Sequence, residues 1–108
     1  MNYKVDTTPN FEREAKKLFK KYNSLKEELL ILIDELETNP SKGIKLGEKI
    51  YKIRIAIKSK GKGKRGGGRI LTYFKVSNET VYLLAIYSKG EKDDVSDKEV
   101  KQLIKEIL

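Results

Sequence analysis

The sequence has no cysteine, no histidine and no tryptophan, and only one methionine and two prolines among 108 residues. Without cysteine there is no disulfide, no thiolate nucleophile and no Cys-ligated zinc; without histidine there is no imidazole ligand and no Ser-His-Asp relay. A metal could be held by oxygen ligands alone. No apolar run approaches the roughly 18 residues of a membrane span, and Met1 to Asp6 lacks the apolar centre of a signal peptide. The expected location is the cytoplasm, with no membrane partner.

What the chain does have is charge. Lys and Arg number 24 against 16 Asp and Glu, a formal net charge of +8, and 38% of residues are hydrophobic. That fraction is modest, yet the apolar residues recur periodically, so a folded core is expected. The length suits a single domain over residues 1–108.

Tyr3 to Thr7 reads as a short strand, and Pro9 suits the first position of a helix, where no amide hydrogen is needed. Phe11, Ala15, Leu18, Phe19 and Tyr22 then follow helical spacing. Ser24-x-x-Glu27 has the spacing of a capping box, and Leu25, Leu29, Leu32, Ile33 and Leu36 continue a second helix until Asn39-Pro40. The two helices form a hairpin joined at Asn23. Residues 40–48 have no sustained period and read as a connection. Tyr51, Ile53, Ile55 and Ile57 alternate with Lys52, Arg54, Ala56 and Lys58, which predicts a strand with one cationic face. Ser59 to Gly68 holds five of the eight glycines and no apolar residue, and is expected to be a flexible, exposed loop. Arg69 to Val76 and Thr80 to Ser88 flank Ser77-Asn78-Glu79 and predict an antiparallel hairpin. Alternation along the second of these strands groups Tyr87 with Ala85, Leu83 and Val81, and Tyr82 with Leu84 and Ile86. Ser96-x-x-Glu99 caps a last helix carrying Val100, Leu103, Ile104 and Ile107. The fold class is α+β, in the order β-α-α-β-β-β-α: a small antiparallel sheet with the helical hairpin on one face and a C-terminal helix.

Between Lys49 and Asn78 stand ten Lys or Arg and no acidic residue. A solvated surface is the plain reading. A polyanion site is the sharper one, because strand, loop and next strand bring Lys52, Arg54, Lys58 and Arg69 toward one surface. The Lys60 to Gly68 loop lacks G-x-x-x-x-G-K-[ST] spacing and leads into a strand, so it is not a nucleotide triphosphate cradle. Tyr87 emerges into the polar Ser88-Lys89-Gly90 and is the best-placed aromatic to stack on a base, although a packed core ring is the alternative. Glu91, Asp93, Asp94 and Asp97 precede the last helix, whose dipole stabilises negative charge there. That reading is preferred to a metal site.

K-R-G-G-x-R at Lys64 to Arg69, followed by Y-L-L-x-I-Y-x-K-x-E at Tyr82 to Glu91, resembles the RelE/ParE toxin superfamily, in its HigB-like RelE branch. The likeness is strongest over residues 50–103. It implies the toxin of a type II toxin-antitoxin pair, a ribosome-dependent endoribonuclease that cuts messenger RNA in the ribosomal A site. It also implies partners: the ribosome and its mRNA, and a cognate antitoxin, expected to be a DNA-binding helix-turn-helix protein through which alone the toxin meets operator DNA. No cofactor and no metal are expected. The candidate catalytic residues are Lys58, Arg65, Arg69, Tyr87, Lys89 and Lys92; Lys52, Arg54, Lys60, Lys62 and Lys64 are the candidate RNA-binding set. Arg65 and Arg69 would stabilise charge at the attacked phosphorus, lysines whose pKa is depressed by neighbouring cations would transfer protons, and Tyr87 would stack on or orient the nucleotide. Glu91 ranks lower as a proton acceptor. Two other readings fit the same fold: a ParE-like gyrase inhibitor, and a non-catalytic RNA- or ribosome-binding module.

Overall fold

Thr8 precedes Pro9, and its hydroxyl accepts the amide hydrogen of Phe11 at 3.3 Å. This cap starts α1 (Pro9–Lys21) in the computed structural model, which describes residues 2–61, 63–92 and 94–107. Helix α2 (Leu25–Thr38) follows after a short turn. Phe11, Ala15 and Leu18 of α1, Tyr22 directly after it, and Leu25, Leu29, Leu32 and Leu36 of α2 are buried, so the three- and four-residue spacing of the sequence is the packing face of the hairpin.

Five strands, β1 (Lys4–Thr7), β2 (Ile44–Gly47), β3 (Ile50–Ile55), β4 (Gly68–Lys75) and β5 (Thr80–Ser88), form one sheet in the order β1-β5-β4-β3-β2. Pairing is antiparallel throughout except that β1 runs parallel to β5. The sheet is antiparallel as expected, with the parallel β1 added at this edge. From β1 the chain enters the helical hairpin, which carries it over one face to the opposite edge, leaving β1 beside the last strand.

The main core lies between that hairpin and the sheet, where Ile53, Ile55, Ile57, Ile70, Val81, Leu83 and Ile86 meet the helices. The opposite face buries Ile50, Leu71, Leu84 and Ala85 beneath Val95 and the Val100, Leu103 and Ile104 side chains of α4 (Asp97–Lys105). None of the α4 residues is itself fully buried. The Ser96 hydroxyl caps this helix by accepting the Glu99 amide hydrogen at 3.2 Å.

Four local expectations change. Residues 44–47, read as connection, form the edge strand β2; it has no buried face, so no alternation marked it. The described residues of the Ser59–Gly68 stretch include a 3-10 turn at Lys58–Lys60 and the single turn α3 (Gly63–Gly66), and Gly67 and Gly68 are buried. A Cβ at Gly67 would lie 2.1 Å from the Ile55 carbonyl oxygen, so this glycine serves a close backbone approach. Ser24 makes no capping bond, because its backbone is already helical. Its hydroxyl instead donates to Glu28 Oε1 at 2.9 Å and accepts the Ser59 amide hydrogen at 2.9 Å, tying the hairpin to the turn after β3. Finally, the β4–β5 register shifts between Leu71 and Thr72: Leu71 faces Ala85 and Thr72 faces Leu83, leaving Leu84 as an extra residue. Such a bulge reverses the alternation. Tyr87 therefore shares a face with Ala85 but not with Leu83 or Val81, and Ile86 packs with Leu83 rather than with Leu84.

Candidate active site and nucleic-acid interface

The β3–β4–β5 register writes one row across the sheet. Arg54 is paired with Arg69, and Arg69 with Tyr87. Directly opposed residues carry their side chains on the same face, here the face that α4 partly covers. In the adjacent row Lys52 opposes Leu71, which opposes Ala85. Beside these rows Asp94 Oδ1 accepts the Tyr87 hydroxyl at 3.4 Å and the Val95 amide hydrogen at 2.9 Å, and lies 4.0 Å from Lys52 Nζ.

Two like charges facing each other across a ladder repel, and the pair solves this by separating in environment. Arg54 is exposed, whereas Arg69 is only 5% exposed. The buried guanidinium donates through Nη1 to Lys64 O at 2.9 Å and Gly68 O at 3.0 Å, and through Nη2 to Arg65 O at 3.0 Å. A buried cation needs such partners. Arg69 thereby clamps the backbone of α3, from which Lys64 and Arg65 extend as exposed side chains.

The other sequence-predicted residues are dispersed. Lys58 is exposed at the start of the 3-10 turn, with its amide hydrogen on Glu28 Oε2 at 2.8 Å. Lys89 is exposed just after β5, and its amide hydrogen goes to Gly67 O at 2.9 Å. Lys60 turns to the helical-hairpin side, where Nζ donates to Ser88 Oγ at 2.7 Å and Lys89 O at 2.6 Å. Lys92 is held by Glu99 at 2.9 Å, toward α4, and Glu91 is paired with Lys21 of α1. Lys62 lies outside the described residues. The structure thus gathers Lys52, Arg54, Arg69 and Tyr87, with Lys64 and Arg65 on the turn that Arg69 clamps, and directs Lys60 and Lys92 elsewhere. Asp94 was missed as a site residue. Its signal was its spacing from Tyr87, seven residues on across a tight polar turn, but the helix-dipole reading absorbed it.

The family model described as the RelE toxin of the RelE / RelB toxin-antitoxin system matches residues 3–107. The chain belongs to the RelE toxin family. Among solved structures, RelE resembles it in fold: a double arginine-to-alanine mutant of E. coli toxin RelE in the free state superposes with a TM-score of 0.63 at 17% identity, covering 100% of both chains. The isolated E. coli RelE toxin gives a TM-score of 0.57 at 18% identity, covering 98% of this chain and 99% of that one.

Along this row the electrostatics differ from group to group. Burial pushes the Tyr87 phenol up to about 12, and the Asp94 carboxylate adds to that shift while Arg69 opposes it. The phenol remains protonated in neutral solution, so it can donate a hydrogen bond but cannot serve as a base. Glu14 of α1, at the open edge of β5, also sits above the ordinary carboxylate range because it is desolvated; the Ile86 amide, Lys92 and Asn10 partly counter the effect. The described residues of this RelE-family chain include no helix long and apolar enough to cross a membrane and no cluster of three potential metal ligands.

Proposed function

We propose that the protein is a ribosome-dependent endoribonuclease that cuts translated messenger RNA in the A site and so stops translation. The observation that carries the reading is the Arg54–Arg69–Tyr87 row beside Lys52 and Asp94. It sets cations, a protonated phenol and a carboxylate on one face of the sheet, with Arg54 and Asp94 exposed and Arg69 and Tyr87 buried beside them, groups of the kinds that cleavage of a phosphodiester by its own 2′-hydroxyl uses.

In that reaction the 2′-oxygen gives its proton to the Asp94 carboxylate and bonds to phosphorus. The P–O5′ bond breaks, and the leaving 5′-oxygen takes a proton from an ammonium group, for which Lys52, Lys58 and Lys89 are the candidates. The products are a 2′,3′-cyclic phosphate and a 5′-hydroxyl. Arg54 and Arg65 neutralise the charge that builds on the non-bridging oxygens, for which the planar guanidinium is suited. Tyr87, whose ring is buried, acts through its hydroxyl, which donates to Asp94 and orients that carboxylate. Lys64 supplies long-range attraction to the ribosomal polyanion. No step calls on a metal or cofactor. A cognate antitoxin that binds DNA would neutralise the toxin, in the cytoplasm where the ribosomes are.

Mapping transcript 5′ ends after brief induction, with and without translating ribosomes, tests the proposal. Cuts confined to translated frames are expected; intact transcripts in growth-arrested cells would overturn it. A second reading, a non-catalytic ribosome-binding module, is favoured by Arg69, whose guanidinium is already engaged by three backbone carbonyls. It predicts salt-sensitive ribosome binding without cuts.

A further inference from the structure

We propose that Lys60 is a positioning residue that fixes the end of β5 behind Tyr87, and is not one of the cations that meet RNA. The kinetic arm of this inference rests on the endonuclease reading above. Lys60 Nζ donates to Ser88 Oγ at 2.7 Å and to Lys89 O at 2.6 Å, and lies 5.9 Å from the centre of the Tyr22 ring. The Tyr22 hydroxyl is itself 3.4 Å from Ser88 Oγ. One ammonium therefore joins the turn after β3, the C-terminal end of α1 and the last residue of β5.

These contacts differ from those of an RNA-binding lysine. Charge-assisted hydrogen bonds to two oxygens and a neighbouring aromatic face hold the ammonium in place and occupy two of its three N–H donors. What they secure is the backbone on either side of the site. Ser88 and Lys89 directly follow Tyr87, and the Lys89 amide hydrogen is bonded to Gly67 O at 2.9 Å, two residues before Arg69. Lys60 thus braces the point where the Arg69 and Tyr87 strands are joined. Small displacements there matter, because an error of about 1 Å in the placement of a reacting group can lower the rate about a hundredfold.

The test uses the full chain, ribosomes programmed with a defined message, and the variants Lys60→Met, Lys60→Arg and Ser88→Ala. Lys60→Met is expected to lower kcat roughly tenfold or more, leaving KM and its salt dependence unchanged, and Lys60→Arg to recover most of the loss. Lys60→Met combined with Ser88→Ala should be no slower than Lys60→Met alone, since both remove one shared bond. A raised KM with unchanged kcat and a salt slope shallower by about one would make Lys60 an RNA contact and overturn the inference. Unchanged kinetics would overturn it too. If the wild-type chain cleaves nothing, the endonuclease reading falls by itself, and amide exchange decides the present one. Exchange at Lys89 faster in Lys60→Met than in wild type and Lys60→Arg, with central β4 amides unchanged as a control for folding, supports the brace; equal exchange removes it.

Discussion

Glu14 on α1 accepts the amide hydrogen of Ile86, the residue before Tyr87, at 3.1 Å. β1 pairs with β5 only as far as Leu83, so beyond that point one edge of β5 has no strand beside it. Side chains of α1 and its cap take over: Thr8 Oγ1 donates to Leu83 O at 3.0 Å and Asn10 Nδ2 to Leu84 O at 3.0 Å. A buried edge whose backbone groups lacked partners would be costly, and the helix substitutes for a sixth strand.

The stability of the protein should carry the signature of Glu14 as pH changes. Its folded-state pKa is raised, so between the unfolded and folded values the native state binds more protons than the unfolded state. Its contribution is then greatest below the unfolded value of about 4.3 and is lost as pH rises through the folded value. Glu14→Gln, which keeps an acceptor for the Ile86 amide, is expected to flatten that dependence. Glu14→Ala, which keeps none, is expected to destabilise by about 1 to 3 kcal/mol. Chemical denaturation between pH 4 and 8, values chosen to span the carboxylate range, checks both.

Arg65 and Arg69 should separate by stability. Arg65→Ala removes an exposed side chain, and its unfolding free energy is expected to stay within about 0.5 kcal/mol of wild type while toxicity is lost. Arg69→Ala strips three carbonyls of their donor and is expected to cost about 2 to 3 kcal/mol as well as toxicity. Arg69→Lys cannot span those carbonyls with one ammonium and should recover little. Thermal melts alongside growth assays distinguish them; an Arg69→Ala chain as stable as wild type would show that the clamp on α3 is dispensable.

Tyr87 should ionise late. Its pKa of about 12 arises mainly from burial and then from Asp94, so ultraviolet titration is expected to show a late phenolate step that Tyr87→Phe abolishes. Asp94→Asn removes the carboxylate charge and should move that step to lower pH without eliminating it. The same two substitutions are expected to lower cleavage, and a Tyr87→Phe/Asp94→Asn pair whose losses add fully would argue that the two groups do not act together.

Much of this architecture was legible from residue spacing. The hairpin face, the alternation of Ile53, Ile55 and Ile57, and the Ser96 cap follow from local rules that tertiary contacts reinforced. The misreadings share one cause, namely dependence on a neighbour distant in sequence. Ser24 has the letters of a capping box, but its hydroxyl is engaged by Glu28 and Ser59. Gly67 looked like part of a loose loop, yet the Ile55 carbonyl leaves no space for a Cβ. The extra residue Leu84 is invisible in β5 alone, since only the β4 partner reveals the shift in register. At the site, the cationic strand face was readable from Lys52 and Arg54, whereas the burial of Arg69 and the approach of Asp94 to Tyr87 required the folded chain.

The parallel pairing of β1 with β5 joins Lys4 to Thr80, residues far apart in sequence, and long-range pairings of this kind form slowly. Arg54, Arg69 and Tyr87 arrive in that sequence during synthesis, and the row stays incomplete until the fifth strand has emerged. A nascent chain released early would carry its cations without the phenol or the carboxylate that complete the cluster. In the proposed reading, the ribosome making this protein is spared from its product until β5 and Asp94 have left the exit tunnel.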